Sequence, residues 1–138
     1  MNQGNIPNAH PDPWVDLTRG YVTEAISALK LRGLQVDRSW LDPCDPRDAT
    51  IVYTSSTVEL RALVWDEETG WRDGAFVDGH PGVRTVLSDV SYIDGGPLVR
   101  AGELARRVIE GSRGDRRAYR SYREVRDGFD DTLRNSFR

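Results

Sequence analysis

The run WDEETGW, residues 65–71, sets three consecutive acids and a glycine between two tryptophans. Carboxylates beside large aromatics suit acid–base chemistry or a hard cation such as calcium or magnesium. Both uses need side chains that converge. Asp66, Glu67 and Glu68 are consecutive, so in a turn they point in different directions, and the alternating acids with a central glycine that make a calcium loop are absent. A hairpin explains the run better: Gly70 takes positive φ in a four- or five-residue loop, the acids keep the turn soluble, and Trp65 and Trp71 pack from adjacent strands. Trp65, Asp66, Glu67, Gly70 and Trp71 are therefore a candidate binding hairpin, with catalysis the less favoured use.

The other chemically capable residues are isolated. Cys44 lies in DPCDPRD, where Asp42, Asp45 and Asp48 disfavour the thiolate that a nucleophile needs. Those aspartates read as an Asp-Pro turn before they read as a calcium site. His10 and His80 each stand alone, without a second ligand at the spacing of structural zinc. No phosphate loop, nucleophile elbow or two-histidine metal helix occurs, and the glycine pair in DGG, residues 94–96, is a weak anion signal before a helix. No catalytic residue, metal site or cofactor is expected.

A chain of 138 residues, 38% hydrophobic and 30% charged, suits one soluble domain with appendages. No apolar run approaches a membrane span and the start lacks the regions of a signal peptide, so the expected setting is cytoplasmic, without membrane contact. One cysteine excludes an internal disulfide. Charge is uneven: residues 1–110 hold 11 basic and 17 acidic residues, net −6, and residues 111–138 hold 8 and 5, net +3.

The elements that must position these residues follow from periodicity. Asp12-Pro13-Trp14 starts a helix whose stripe is Trp14, Leu17, Tyr21, Ala25, Ile26 and Leu29, with Gly33 as its stop. LQVDRSWL, ATIVYTS, ELRALVW, WRDGAFV and RTVLSDVSYI read as five strands, joined by connections too short for crossover helices. Pro97 opens a second long helix that Gly111 ends. The expected fold is α+β: helix, about five mostly antiparallel strands in a curved sheet, helix. Residues 1–12 read as a flexible leader, 13–111 as the domain and 112–138 as a basic tail.

The strand ending ALVWDEETGW, preceded by GYVTEAISALKLRGLQVDRSWLDPCDPRDATI and followed by YIDGGPLVRAGELARRVI, resembles a small actinobacterial family, domain-of-unknown-function family 6292, over about residues 20–110. The resemblance rests mainly on Trp65, Asp66, Glu67, Gly70 and Trp71. It implies a bacterial or mobile-element setting and transfers no catalytic residues.

The tail carries the functional expectation. Tyr119, Tyr122, Val125, Phe129 and Leu133 recur three or four apart, which predicts an amphipathic helix over 115–137. Gly128 and the early arginines weaken it, so packing must hold it. As an interaction helix the stripe would dock on the body, on a second copy or on a partner protein. As a nucleic-acid element, Arg113, Arg116, Arg117, Arg120 and Arg123 would meet phosphates, although the interleaved acids argue against this. A protein-interaction or accessory module, homo-oligomeric or with a protein partner, is the favoured function. Nucleic-acid binding is the alternative, and a small enzyme with an acidic-turn site comes last.

Overall fold

A computed structural model describes residues 5–43, 45–55 and 59–137. Cys44 therefore lies outside the described residues, as do the first four residues of the leader. The elements in order are α1 (Pro13–Asp16), α2 (Arg19–Leu31), β1 (Gln35–Asp42), β2 (Asp48–Thr54), β3 (Arg61–Asp66), β4 (Gly70–His80), β5 (Val83–Ile93), α3 (Ala101–Glu110) and α4 (Phe129–Ser136). The strands form an antiparallel meander in the order β1-β2-β3-β4-β5. The α+β fold expected from the periodicity is the one observed.

Alternation along the strands divides the sheet into two faces. One face carries Ala49, Ile51, Leu63, Trp65 and Trp71, which pack with Tyr21, Val22, Ile26 and Leu29 of α2 and Leu104 of α3. The other carries Trp40, Val52 and Ala62, with Phe76 and Leu87 packed against them. Three register shifts in the β4–β5 pair bend that hairpin over the second face. The Thr50 and Thr85 hydroxyls then meet at 2.6 Å, and the Gly82 N–H reaches the Asp42 carboxylate at 2.7 Å.

Four details depart from the periodic reading. The first helix is broken at Thr18, whose N–H and hydroxyl both bond the Val15 carbonyl at 3.1 and 2.8 Å, so a tight turn replaces the helical link. The next helix starts at Ala101 instead of Pro97. The Trp65 indole N–H takes the Pro97 carbonyl at 2.7 Å and the Tyr21 hydroxyl takes that of Val99, which occupies the acceptors a first turn would use. The DGG run consequently opens no helix. The leader is anchored from Asn5 onward, where Lys30 and the Ser39 hydroxyl each bond it at 2.8 Å and Ile6 packs on the core.

The largest departure is the tail. A helix over 115–137 is not formed; only Phe129–Ser136 is helical. Residues 112–128 run along the body as a strap, because the donors of Gly114, Tyr119 and Tyr122 bond the Tyr92 carbonyl, the Glu68 carbonyl and the Glu68 carboxylate at 2.6, 2.7 and 2.9 Å. Gly128, at φ +85°, turns the chain into α4. Among the described residues, no helix is long and apolar enough to cross a membrane.

Candidate functional site

The WDEETGW run is the β3–β4 hairpin, with Trp65 directly opposite Trp71 and Asp66 opposite Gly70. Gly70 has φ +83°, and a Cβ there would stand 2.9 Å from the Gly96 backbone, so the position needs glycine twice over. Both tryptophans are fully buried. Tyr21 lies between them, with ring centroids 6.0 Å from Trp65 and 6.1 Å from Trp71, and its hydroxyl accepts the Trp71 indole N–H at 3.1 Å.

The acids do not keep the turn soluble. Asp66 folds back to accept the N–H groups of Glu68 and Thr69 at 2.8 and 2.7 Å, the Thr69 hydroxyl at 2.6 Å and Arg72 at 3.1 Å. Glu67 is 0% exposed, and beside it lies Arg47, 1% exposed. One Glu67 oxygen accepts the backbone N–H and Nε of Arg47 at 2.8 and 2.9 Å. The other accepts Arg47 Nη2 at 2.7 Å and Arg120 Nη1 at 2.6 Å. A buried carboxylate is tolerable only when its lone pairs are filled in this way.

The network continues into the tail. Arg47 Nη2 also bonds Asp130 at 2.6 Å, and Arg120 Nε bonds Asp127 at 2.6 Å. Burial pulls both guanidinium pKa values down, but the hydrogen bonds to Glu67 with Asp130 and with Asp127 outweigh it, so both lie above the ordinary value. Aromatic faces wall the pairs: Arg47 sits 4.4 Å from the Trp14 ring centroid and Arg120 4.0 Å from that of Phe129. Phe129 stacks on Trp65 at 6.5 Å and 13°, and Phe137 meets Tyr21 edge-on at 5.1 Å. The arrangement is a latch in which the tail closes over the hairpin.

The tail residues singled out by spacing therefore separate. Phe129 and Leu133 are buried in the core of this same chain, Tyr122 is half-buried, Tyr119 is partly exposed and Val125 is 71% exposed. Arg120 serves the latch. Arg113 bonds the Ser91 hydroxyl at 2.7 Å, while Arg117 and Arg123 lie over Tyr119 and Tyr122 at 5.9 and 5.6 Å. Arg116 lines a cavity beside β4 and β5. Spacing marks Asp127 and Asp130 only as interleaved acids of the tail, and nothing in DPCDPRD marks Arg47 as the partner of an acid 20 residues later.

A second polar cluster lies on the opposite face of the sheet, where Asp42, Asp48 and Asp66 are successive register partners on β1, β2 and β3. Asp42 accepts Gly82 and the Trp40 indole N–H, at 2.7 and 2.9 Å. Asp48 is almost fully buried and its Oδ1 has no hydrogen-bond partner among the described residues. Burial, and then the neighbouring Asp42 charge, push its pKa up to about 7. Among the described residues no group of three or more His, Cys, Asp or Glu side chains is placed to hold a metal ion. His10 accepts the Asp12 N–H at 3.0 Å, and His80 is exposed at the tip of the β4–β5 hairpin.

Fold and site together define an α+β protein, a five-stranded meander with helices on one face and a buried Arg–Glu–Arg latch at one hairpin. The model of a family of unknown function, DUF6292, matches residues 21–110, and the chain belongs to that family. The match covers Arg47 and Glu67, while Arg120, Asp127, Phe129 and Asp130 lie beyond it. No curated protein and no solved structure matches the chain.

Proposed function

We propose that this chain is a non-catalytic protein-interaction module whose contact surface is the β4–β5 hairpin, presented by a body that its own tail closes. One contrast in burial carries the reading. Val77, Val83, Val86 and Val90 are 58%, 40%, 51% and 41% exposed on that hairpin, whereas Phe129 and Leu133 of the tail are buried within the chain. Four exposed apolar, β-branched side chains on one hairpin support a contact surface there.

Backbone geometry adds to this. β5 is an edge strand, and among the described residues the one backbone bridge to its outer side is Tyr92 with Gly114. Unpaired N–H and C=O groups on an edge are a template for an added strand. The partner assigned is a second copy, because two identical edges pair antiparallel across a two-fold axis. Asp89, at φ +53° beside a register shift, limits that pairing to the Val83–Ser88 side. The acidic body, the single cysteine and the family resemblance support an accessory role in the cytoplasm of a bacterial or mobile-element system.

The test is sedimentation equilibrium across a concentration series, with Val86→Lys as the variant. A mass rising toward the dimer in the wild type, and not in a variant that melts at the same temperature, is expected. A wild type that stays monomeric, or a variant that dimerises equally, overturns the reading. A second reading, nucleic-acid binding, is favoured by Arg113, Arg117 and Arg123, all exposed along the strap; steeply salt-dependent DNA binding lost on replacing all three with alanine would promote it.

A further inference from the structure

We propose that the cavity between the β3–β4 turn, β5 and the strap binds a small phosphorylated ligand, with Arg72, Arg84 and Arg116 holding its phosphoryl oxygens. The cavity has a volume of about 280 Å³ and brings these three arginines together from β4, β5 and the tail, beside Tyr92, Thr69, Asp66 and Glu68. That volume lies just below the usual range of drug-sized ligand pockets, which restricts the ligand to a small one.

Donor and acceptor accounting identifies the ligand chemistry. Of the carboxylates in the wall, Asp66 receives four donors, and Glu68 receives the Tyr122 N–H on one of its two oxygens. The arginine donors are less used. Each guanidinium carries five N–H groups. Arg72 bonds Asp66 through one nitrogen at 3.1 Å, Arg84 stands 3.7 Å from Asp48, beyond hydrogen-bond range, and Arg116 has no partner among the described residues. Three arginines with surplus charged donors in one cavity fit an oxyanion, and forked guanidinium groups fit phosphoryl oxygens in particular.

The site is built by the strap. The Gly114 N–H bonds the Tyr92 carbonyl at 2.6 Å and the Tyr119 N–H bonds the Glu68 carbonyl at 2.7 Å. Tyr92 and Glu68 both line the cavity, so the strap is pinned on either side of it with Arg116 between the pins. A half-open cavity of this size suits a compact phosphomonoester, with Tyr92 in the wall beside its organic part. Binding would also hold the strap to the body, and it does not depend on association through β5.

Isothermal titration of the full chain with inorganic phosphate and with phenyl phosphate tests this. One site per chain is expected for both probes, weakened at least tenfold in Arg84→Ala and in Arg116→Ala and unchanged in Arg126→Ala, an exposed arginine outside the cavity. Tyr92→Leu separates the two sources of the phosphoryl group: weakening of phenyl phosphate alone identifies an aromatic phosphomonoester, and equal behaviour of the two probes identifies the bare phosphoryl group. Unchanged melting temperatures show that the variants remain folded. Absence of binding by either probe, or binding that survives the Arg84→Ala/Arg116→Ala pair, overturns the proposal.

Discussion

The β3–β4 and β4–β5 hairpins are treated oppositely by the rest of the chain. The β3–β4 turn holds three acids, yet Asp66 and Glu67 are buried because Arg47, Arg72 and Arg120 reach them. The β4–β5 hairpin holds apolar valines, yet four of them stand in water. Polarity along the chain therefore does not decide which hairpin faces solvent. What decides it is the tail, which crosses Gly114 to Tyr119 and lays Phe129 on Trp65 at the first hairpin, leaving the second uncovered.

Removing the charge that anchors the latch should break this contrast most severely. Glu67→Ala leaves Arg47 buried with Asp130 as its one remaining carboxylate among the described residues and the Trp14 carbonyl as a neutral acceptor, and such a loss costs about 3–5 kcal/mol; urea unfolding should show a lower midpoint at similar m. Phe129→Ala is next, at about 3 kcal/mol, since it removes both the stack on Trp65 and the wall over Arg120. If either change left stability untouched, the tail would be an ornament of the body and the comparison would fail.

Asp48 sharpens the contrast on the other face. Its folded pKa of about 7 lies above the ordinary carboxylate value of 3.8. The folded state therefore holds a proton that the unfolded chain releases. The resulting stabilisation is complete below about pH 4 and is lost as pH rises through 7. Asp48→Asn should remove this slope and stabilise the protein at pH 8 by at least ~1 kcal/mol. Thermal melts between pH 5 and 8 are the check, and an unchanged slope in the variant would contradict it. The smallest effect belongs to the exposed hairpin: Val86→Thr should shift stability by no more than about 0.5 kcal/mol, as for other surface changes. A loss of several kcal/mol would place Val86 in a core instead of on a contact surface.

Much of the fold was legible because it follows local rules. Alternation in the first strand and β-branched or apolar content in the others located all five strands, Gly33 and Gly111 ended their helices, and Gly70 marked its turn. The candidate site was legible only in part. Trp65 and Trp71 emerged from spacing, but Glu67 looked like a solubilising turn acid because its partners, Arg47 and Arg120, are 20 and 53 residues away. The tail misled for a related reason. Its three-to-four spacing is real, yet the backbone donors of Tyr119 and Tyr122 are used by Glu68, and a helix cannot form where the body takes the donors. Phe129 and Leu133, beyond Gly128, were free to form the short helix that remains.

The central claim, that the tail is a latch on its own body fastened at Glu67, is tested most directly by amide hydrogen exchange at Tyr119 and Tyr122. Both N–H groups donate to Glu68 in the closed chain. In dilute monomeric wild type they should be protected, and in Arg120→Ala both should lose that protection while the amides of β2 and β3 keep theirs. Exchange in the wild type at the rate of an unstructured peptide would contradict the latch, as would protection that Arg120→Ala leaves intact.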